Sequence, residues 1–177
     1  MSEALSAKIT KSLRPVPDYP RLGTTFHDSM PVLRQGALLK SIVEALAEPF
    51  RKSGVTHVVG IEPQGMILGC AVAAALGAGF ISARKPRKLP WNPVRQVYAL
   101  EYGNDSIEAN RDEFVASDRV LVVDDVLSSG DTAAAAGELV RALNGNLVGY
   151  SFMIEETAEG GRARLEGAAA IHSIVKM

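Results

Sequence analysis

A chain of 177 residues suffices for one well-buried domain. Its hydrophobic fraction of 47%, charged fraction of 22% and net charge of −1 are ordinary for a globular protein and give no electrostatic reason to expect nucleic acid as the main partner. The single cysteine, Cys70, excludes an intramolecular disulfide, which suits a reducing cytoplasm, and without a run of about 18 apolar residues no membrane span is expected.

Met1 to Leu5 carry no basic stretch leading into an apolar core, so no secretory signal is expected. Residues 3 to 13 show weak helical periodicity. Arg14 to Pro20 is too rich in proline for a helix and reads as an extended arm. Leu38, Leu39, Ile42, Leu46 and Phe50 recur at helical spacing and predict a helix over 37 to 51. Val55 to Ile61 is a β-branched run, read as a buried strand, and Glu62-Pro63-Gln64-Gly65 as a turn. Met66 to Leu76 reads as a helix of small residues, with Cys70 expected to be a buried small hydrophobe. Gly79 to Ala83 is the next strand. Arg84 to Val94 is basic and proline-rich, hence a loop, and Gln96 to Glu101 alternates like a strand. Residues 119 to 124 predict a strand, 132 to 143 a helix, 147 to 154 a strand and 168 to 175 a last strand. His27, His57 and His172 are too scattered to suggest a metal site. His57 is expected to be structural, and His172 has no assigned role.

Strands alternating with helices imply a mostly parallel sheet covered on both faces. Ligands of such sheets bind beyond the carboxyl ends of the strands. Three loops are expected to converge there: 62 to 65, 84 to 94 and 125 to 131.

The last of these is the most telling. In Val120-Leu121-Val122-Val123-Asp124-Asp125-Val126-Leu127-Ser128-Ser129-Gly130-Asp131-Thr132, an apolar strand ends in two acids and turns through a Ser/Gly loop into a helix. Backbone N–H groups at such a helix start suit a phosphate, and the helix dipole favours its charge. The two carboxylates suit sugar hydroxyls or a divalent cation. No Gly-x-x-x-x-Gly-Lys-Ser/Thr loop occurs, which argues against a kinase-like nucleotide site.

That segment resembles the 5-phosphoribosyl-1-pyrophosphate (PRPP) motif of type I phosphoribosyltransferases. Val16 to Pro20, Gly23, Phe26-His27-Asp28 and Pro31-Val32-Leu33 resemble the N-terminal hood of the adenine phosphoribosyltransferase family. Gly60-Ile61-Glu62 through Gly65 looks like its pyrophosphate loop, Arg84 to Pro90 like its basic loop, and Leu100-Glu101-Tyr102-Gly103 matches its Leu-Glu-Tyr-Gly segment. Glu155 with Gly161-Arg162 is similar to its C-terminal part.

The resemblance implies an α/β fold with a mostly parallel central sheet flanked by helices, an arm and hood over 1–35, and a core over 36–177 with a flexible loop at 84–95. It implies transfer of the phosphoribosyl group to adenine, giving AMP and pyrophosphate, in a cytoplasmic homodimer without nucleic-acid or membrane partners. Ser128, Ser129, Gly130, Asp131 and Thr132 would take the 5-phosphate, and Asp124 and Asp125 the ribose hydroxyls. Glu62, Pro63, Gln64, Gly65, Arg84, Lys85, Arg87 and Lys88 would serve the pyrophosphate. Phe26, His27 and Val126 or Leu127 would hold the purine, Glu101 would move a proton, and Tyr102 would order the lid. Mg²⁺ would bind mainly through PRPP and water. Trp91 is placed to pack in a closed lid or against a second subunit.

Four positions depart from the family pattern. Gln64 stands where an arginine is usual, Pro63 where a serine is, His27 where an arginine is, and Asp131 where a second glycine is common. Asp131 either caps the helix or faces the phosphate. Pyrophosphate loops of this superfamily commonly carry a cis peptide, and proline lowers its cost, so the resemblance implies a cis Glu62–Pro63 bond. Gln64 and His27 keep open transfer to hypoxanthine, guanine or xanthine, and the missing arginine keeps open a catalytically weak PRPP-binding regulator.

Overall fold

The computed structural model describes residues 3–19, 22–100, 103–165, 167 and 169–177. The chain opens with α1 (Glu3–Ser12), then β1 (Arg14–Pro17) and β2 (Thr25–Asp28), which pair antiparallel with Arg14 opposite Asp28. The proline-rich arm is thus half of a two-stranded hood. Two helices follow, the short α2 (Met30–Leu33) and α3 (Gly36–Ala47), the latter extended by a 3₁₀ turn at Glu48–Phe50.

From there strands and helices alternate: β3 (His57–Ile61), α4 (Gln64–Leu76) and β4 (Gly79–Ala83). A hairpin of β5 (Pro93–Leu100) and β6 (Gly103–Asn110) interrupts the pattern. It resumes with β7 (Arg119–Leu127), α5 (Asp131–Ala142), β8 (Asn146–Glu155), the five-residue α6 (Gly161–Leu165) and β9 (Ala170–Lys176).

Five strands form one parallel sheet in the order β4-β3-β7-β8-β9. Side chains alternate across it. Val120 and Val122 face a core shared with α5 and the hairpin; Leu121 and Val123 face one shared with α1, α3 and α4. Chain order reverses between β3 and β7: β4 lies outside β3, and β7 returns on its other side. That reversal leaves a crevice at the carboxyl ends of β3 and β7, the usual ligand position in open α/β sheets.

Several expectations are corrected. The acids do not end β7, which runs on to Leu127 along β8; pairing with β3 stops at Val123, so the acids stand beside the crevice. The turn expected at 62–65 is shorter, because Gln64 and Gly65 already belong to α4. Pro93 and Val94 belong to β5 rather than to the basic loop. Cys70 is exposed, not buried: α4 turns Leu68, Gly69, Val72 and Ala73 to the core and Cys70 outward with Ile67. His57 is structural as expected. Its ring packs on Gly79, and Nδ1 lies 3.3 Å from Asp118. Among the described residues no helix is long and apolar enough to cross a membrane.

Candidate active site

The crevice brings together the acid pair and the start of α4. A side chain at position 65 would meet Asp124 Oδ1 at 2.6 Å and the Val123 carbonyl at 2.7 Å, so only glycine lets α4 sit this close to β7. Asp124 and Asp125 are both partly buried. Burial, and then the neighbouring Asp125, pushes the Asp124 carboxyl well above the usual carboxylate range. Burial also raises Asp125, partly offset by Ser29, whose hydroxyl donates to Asp125 Oδ2 at 2.7 Å. The Glu62–Pro63 bond beside them is cis, as expected.

The loop after β7 passes through Gly130, whose φ of +80° favours glycine, into the first turn of α5. Asp131 does not cap that helix; the N-cap position is Gly130 and makes no side-chain hydrogen bond. Both Asp131 oxygens are engaged instead. Oδ1 lies 2.6 Å from Arg164, and Oδ2 accepts from Ser129 Oγ at 2.7 Å.

Over the same strand ends the hood closes a cleft of about 780 Å³, lined by Phe26 and His27 on one side and Gln64, Asp125, Val126 and Ser128 on the other. Phe26 is 40% exposed and meets Tyr19 edge-on at 5.5 Å. Leu127 is not part of the cleft. Strand alternation turns it into the core, where it is 1% exposed, and leaves Val126 to face the ligand side. His27 Nδ1 lies 3.5 Å from Glu156 and, though buried, has no hydrogen-bond partner among the described residues.

The basic loop is folded onto acids. Glu62 accepts from Arg84 Nε at 3.1 Å, from the Lys85 amide at 2.8 Å and from Lys88 Nζ at 2.5 Å. Burial opposes its ionisation, but these donors outweigh it and hold the carboxyl at about 2. Glu62 thereby anchors the basic loop. Lys85 pairs with Asp105 and donates to the Tyr98 hydroxyl at 3.0 Å; Tyr98 in turn donates to Asp105 at 2.9 Å and accepts from Thr132 at 3.3 Å. Arg87 takes a φ of +65°, its amide donating to the buried Glu108 at 3.0 Å.

Glu101 and Tyr102 lie outside the described residues. Sequence reasoning missed Ser29, Glu156, Tyr98, Asp105 and Arg164. Ser29 adjoins the hood motif and Glu156 directly follows β8, so position offered a signal for both. Arg164, Tyr98 and Asp105 had none, because their partners are 33, 34 and 20 residues away.

Residues 31–164 match the model of the phosphoribosyl transferase domain. Over 175 residues the chain is 45% identical to adenine phosphoribosyltransferase of Anaeromyxobacter dehalogenans, covering 99% of each chain. The crystal structure of adenine phosphoribosyltransferase from Rhodothermus marinus superposes with a TM-score of 0.94 at 41% identity, covering 99% of this chain and 100% of that one. That from Saccharomyces cerevisiae, complexed with an imino-altritol bisphosphate and adenine, gives 0.90 at 33% identity over 98% and 99%. The parallel sheet with its flanking helices is the type I phosphoribosyltransferase fold. With its domain and its whole length matched in this way, the chain belongs to the adenine phosphoribosyltransferase family.

Proposed function

We propose that the protein transfers the 5-phosphoribosyl group of PRPP to adenine, releasing AMP and pyrophosphate in purine salvage. One observation carries this reading. The hood residues Phe26 and His27 face Asp125, Val126 and Ser128 of the strand–acid–loop segment across a single cleft, in a chain of this family from end to end.

Displacement at the anomeric carbon passes through an oxocarbenium-like state, so the site must hold the ribose, the leaving group and the base in line. The amides of Ser128–Thr132, with the hydroxyls of Ser128 and Thr132, take the 5-phosphate at the start of α5. Asp124 and Asp125 take the ribose hydroxyls; each is reluctant to ionise when buried, and hydrogen bonds donated by the sugar favour the charged forms. Phe26 and Val126 sandwich the purine. Glu101 accepts the proton that the purine loses as its nitrogen bonds to the sugar. Arg84, Lys85, Arg87 and Lys88 serve the pyrophosphate, with Lys88 and Arg84 leaving Glu62 as the 84–95 loop, ordered by Tyr102, closes and excludes water. Residues 1–35 act as the purine hood and 36–177 as the core.

Among the described residues no three His, Cys, Asp or Glu gather into a metal cluster. Asp124 and Asp125 at the crevice would hold the ribose beside a hydrated Mg²⁺, which would bind mainly through PRPP and water. When bound, the ion supplies charge neutralisation at the pyrophosphate. The protein works in the cytoplasm as a homodimer. Support for the dimer comes from Ile67 and Cys70, which α4 exposes side by side, and light scattering at several concentrations checks it.

The deciding experiment supplies PRPP and Mg²⁺ with adenine, hypoxanthine, guanine or xanthine and measures nucleotide and pyrophosphate. Product with adenine alone is expected. Product with an oxopurine alone overturns the choice of base, and PRPP binding without product overturns the enzyme. Glu101→Gln should lower kcat far more than PRPP affinity; unchanged turnover rejects its role in proton transfer.

A further inference from the structure

Asp131 places a carboxylate at the first residue of α5, inside the segment that takes the 5-phosphate. An acid there is welcome to the helix dipole on its own. It competes with a phosphate for that same dipole and repels it. The surrounding packing supplies an answer from another element. Gly130 and Gly161 lie back to back: a Cβ at Gly161 would come within 2.0 Å of the Ser128 carbonyl, and one at Gly130 within 2.7 Å of the Gly161 carbonyl. α6 is therefore seated directly on the loop. Arg164, three residues along α6, reaches Asp131 Oδ1 at 2.6 Å, with side-chain exposures of 52% and 15% for the arginine and the acid.

We propose that Arg164 is a positioning residue for PRPP, acting through Asp131: it cancels the charge that this loop would otherwise turn on the 5-phosphate. The proposal rests on the reading of Ser128–Thr132 as the phosphate loop. It also assigns the Ser129 hydroxyl, whose single proton goes to Asp131, to shaping the loop rather than to the phosphate. Ser128, the backbone amides and the Thr132 hydroxyl, once it turns from Tyr98, then supply the donors.

Steady-state kinetics test it. Arg164→Ala leaves the acid uncompensated and should raise the KM for PRPP about tenfold, with kcat and the KM for adenine within about twofold of the starting protein. The defect should deepen at low ionic strength, where the bare charge is unscreened. Asp131→Asn should lower the KM for PRPP, and in the Arg164→Ala background should return it to the original range. Arg164→Lys should keep most of the affinity. A raised KM that Asp131→Asn does not relieve overturns the proposal, because Arg164 would then act on the ligand itself. An unchanged KM in Arg164→Ala also overturns it. Thr132→Val separates the two readings. Weakened PRPP binding there but not in Arg164→Ala rejects the pair alone, and no weakening in either rejects the phosphate loop. Should Arg164→Ala fold poorly by circular dichroism, Arg164→Gln with and without Asp131→Asn gives the same comparison.

Discussion

A buried hydroxyl ties the hood to the acid pair. Ser29 is 1% exposed, and its proton goes to Asp125. Removing it leaves a partly buried carboxylate short of a donor, at a cost of about 1–3 kcal/mol. Ser29→Ala should therefore raise the KM for PRPP roughly fivefold or more at nearly constant kcat, while Ser29→Thr, which keeps the hydroxyl, should restore it. Initial-rate kinetics with PRPP varied would show this, and an unaltered KM would mean that Asp125 holds its place without the hood. Part of this scale was legible: Phe26, Asp125 and Ser128, singled out in the sequence, line one cleft. What was not legible depends on orientation or on distant partners. Leu127 and Val126 are equivalent in the sequence, and only the strand's registry sends one to the core and the other to the cleft. Cys70 sits in an apolar run, yet it falls on the outward face of α4.

Among the elements, the β5–β6 hairpin was disclosed only in part: periodicity gave Gln96 to Glu101 as a strand but not β6. Its second strand contains Asn104, Asp105, Ser106 and Glu108, poor strand formers by composition. They are held there by side-chain pairs. Lys85 meets Asp105, and Arg95 meets Glu108 at 2.6 Å. The hairpin thereby connects two segments, because Tyr98 joins Lys85 of the basic loop to Thr132 in the first turn of α5. Tyr98→Phe removes that junction. We expect a stability loss of about 1 kcal/mol and faster amide exchange over 84–95. Hydrogen exchange with and without PRPP checks it; equal protection in both proteins would show that the basic loop is ordered without Tyr98. By contrast, α3, β3, β4 and β7 were readable because apolar periodicity and burial agree in them.

For the molecule as a whole, two acids anchor the carboxyl-end loops. Glu155, 5% exposed, is bidentate with Arg162 at 2.7 and 2.6 Å; Arg162 outweighs burial and holds its carboxyl at about 2. Glu62 sits equally low for the reasons given above. Both values lie below the ordinary 4.5. Their contribution to stability is therefore fully present above about pH 4.5 and lost as pH falls toward 2, by up to about 3 kcal/mol each. Urea denaturation across that range should show the decline, and Glu155→Gln should flatten it. Arg162→Ala, which strands a buried charge, should cost about 3–5 kcal/mol near neutral pH, read from the urea midpoint. A midpoint within error of the parent would show that Glu155 finds other partners.

By itself the sequence determined the alternation of strands and helices, the acid pair with the Ser/Gly loop after it, and the kinship of the chain, because these are local: apolar periodicity, turn residues and contiguous motifs carry them. The tertiary structure alone decided which side chains face one another. Strand order opens the crevice between β3 and β7, and parallel registry turns Val126 outward. Folding also brings Ser29 to Asp125, Tyr98 to Thr132 and Arg164 to Asp131 across 96, 34 and 33 residues of chain. Such contacts arise from the packing of whole elements against a sheet, and no window of neighbouring residues contains them.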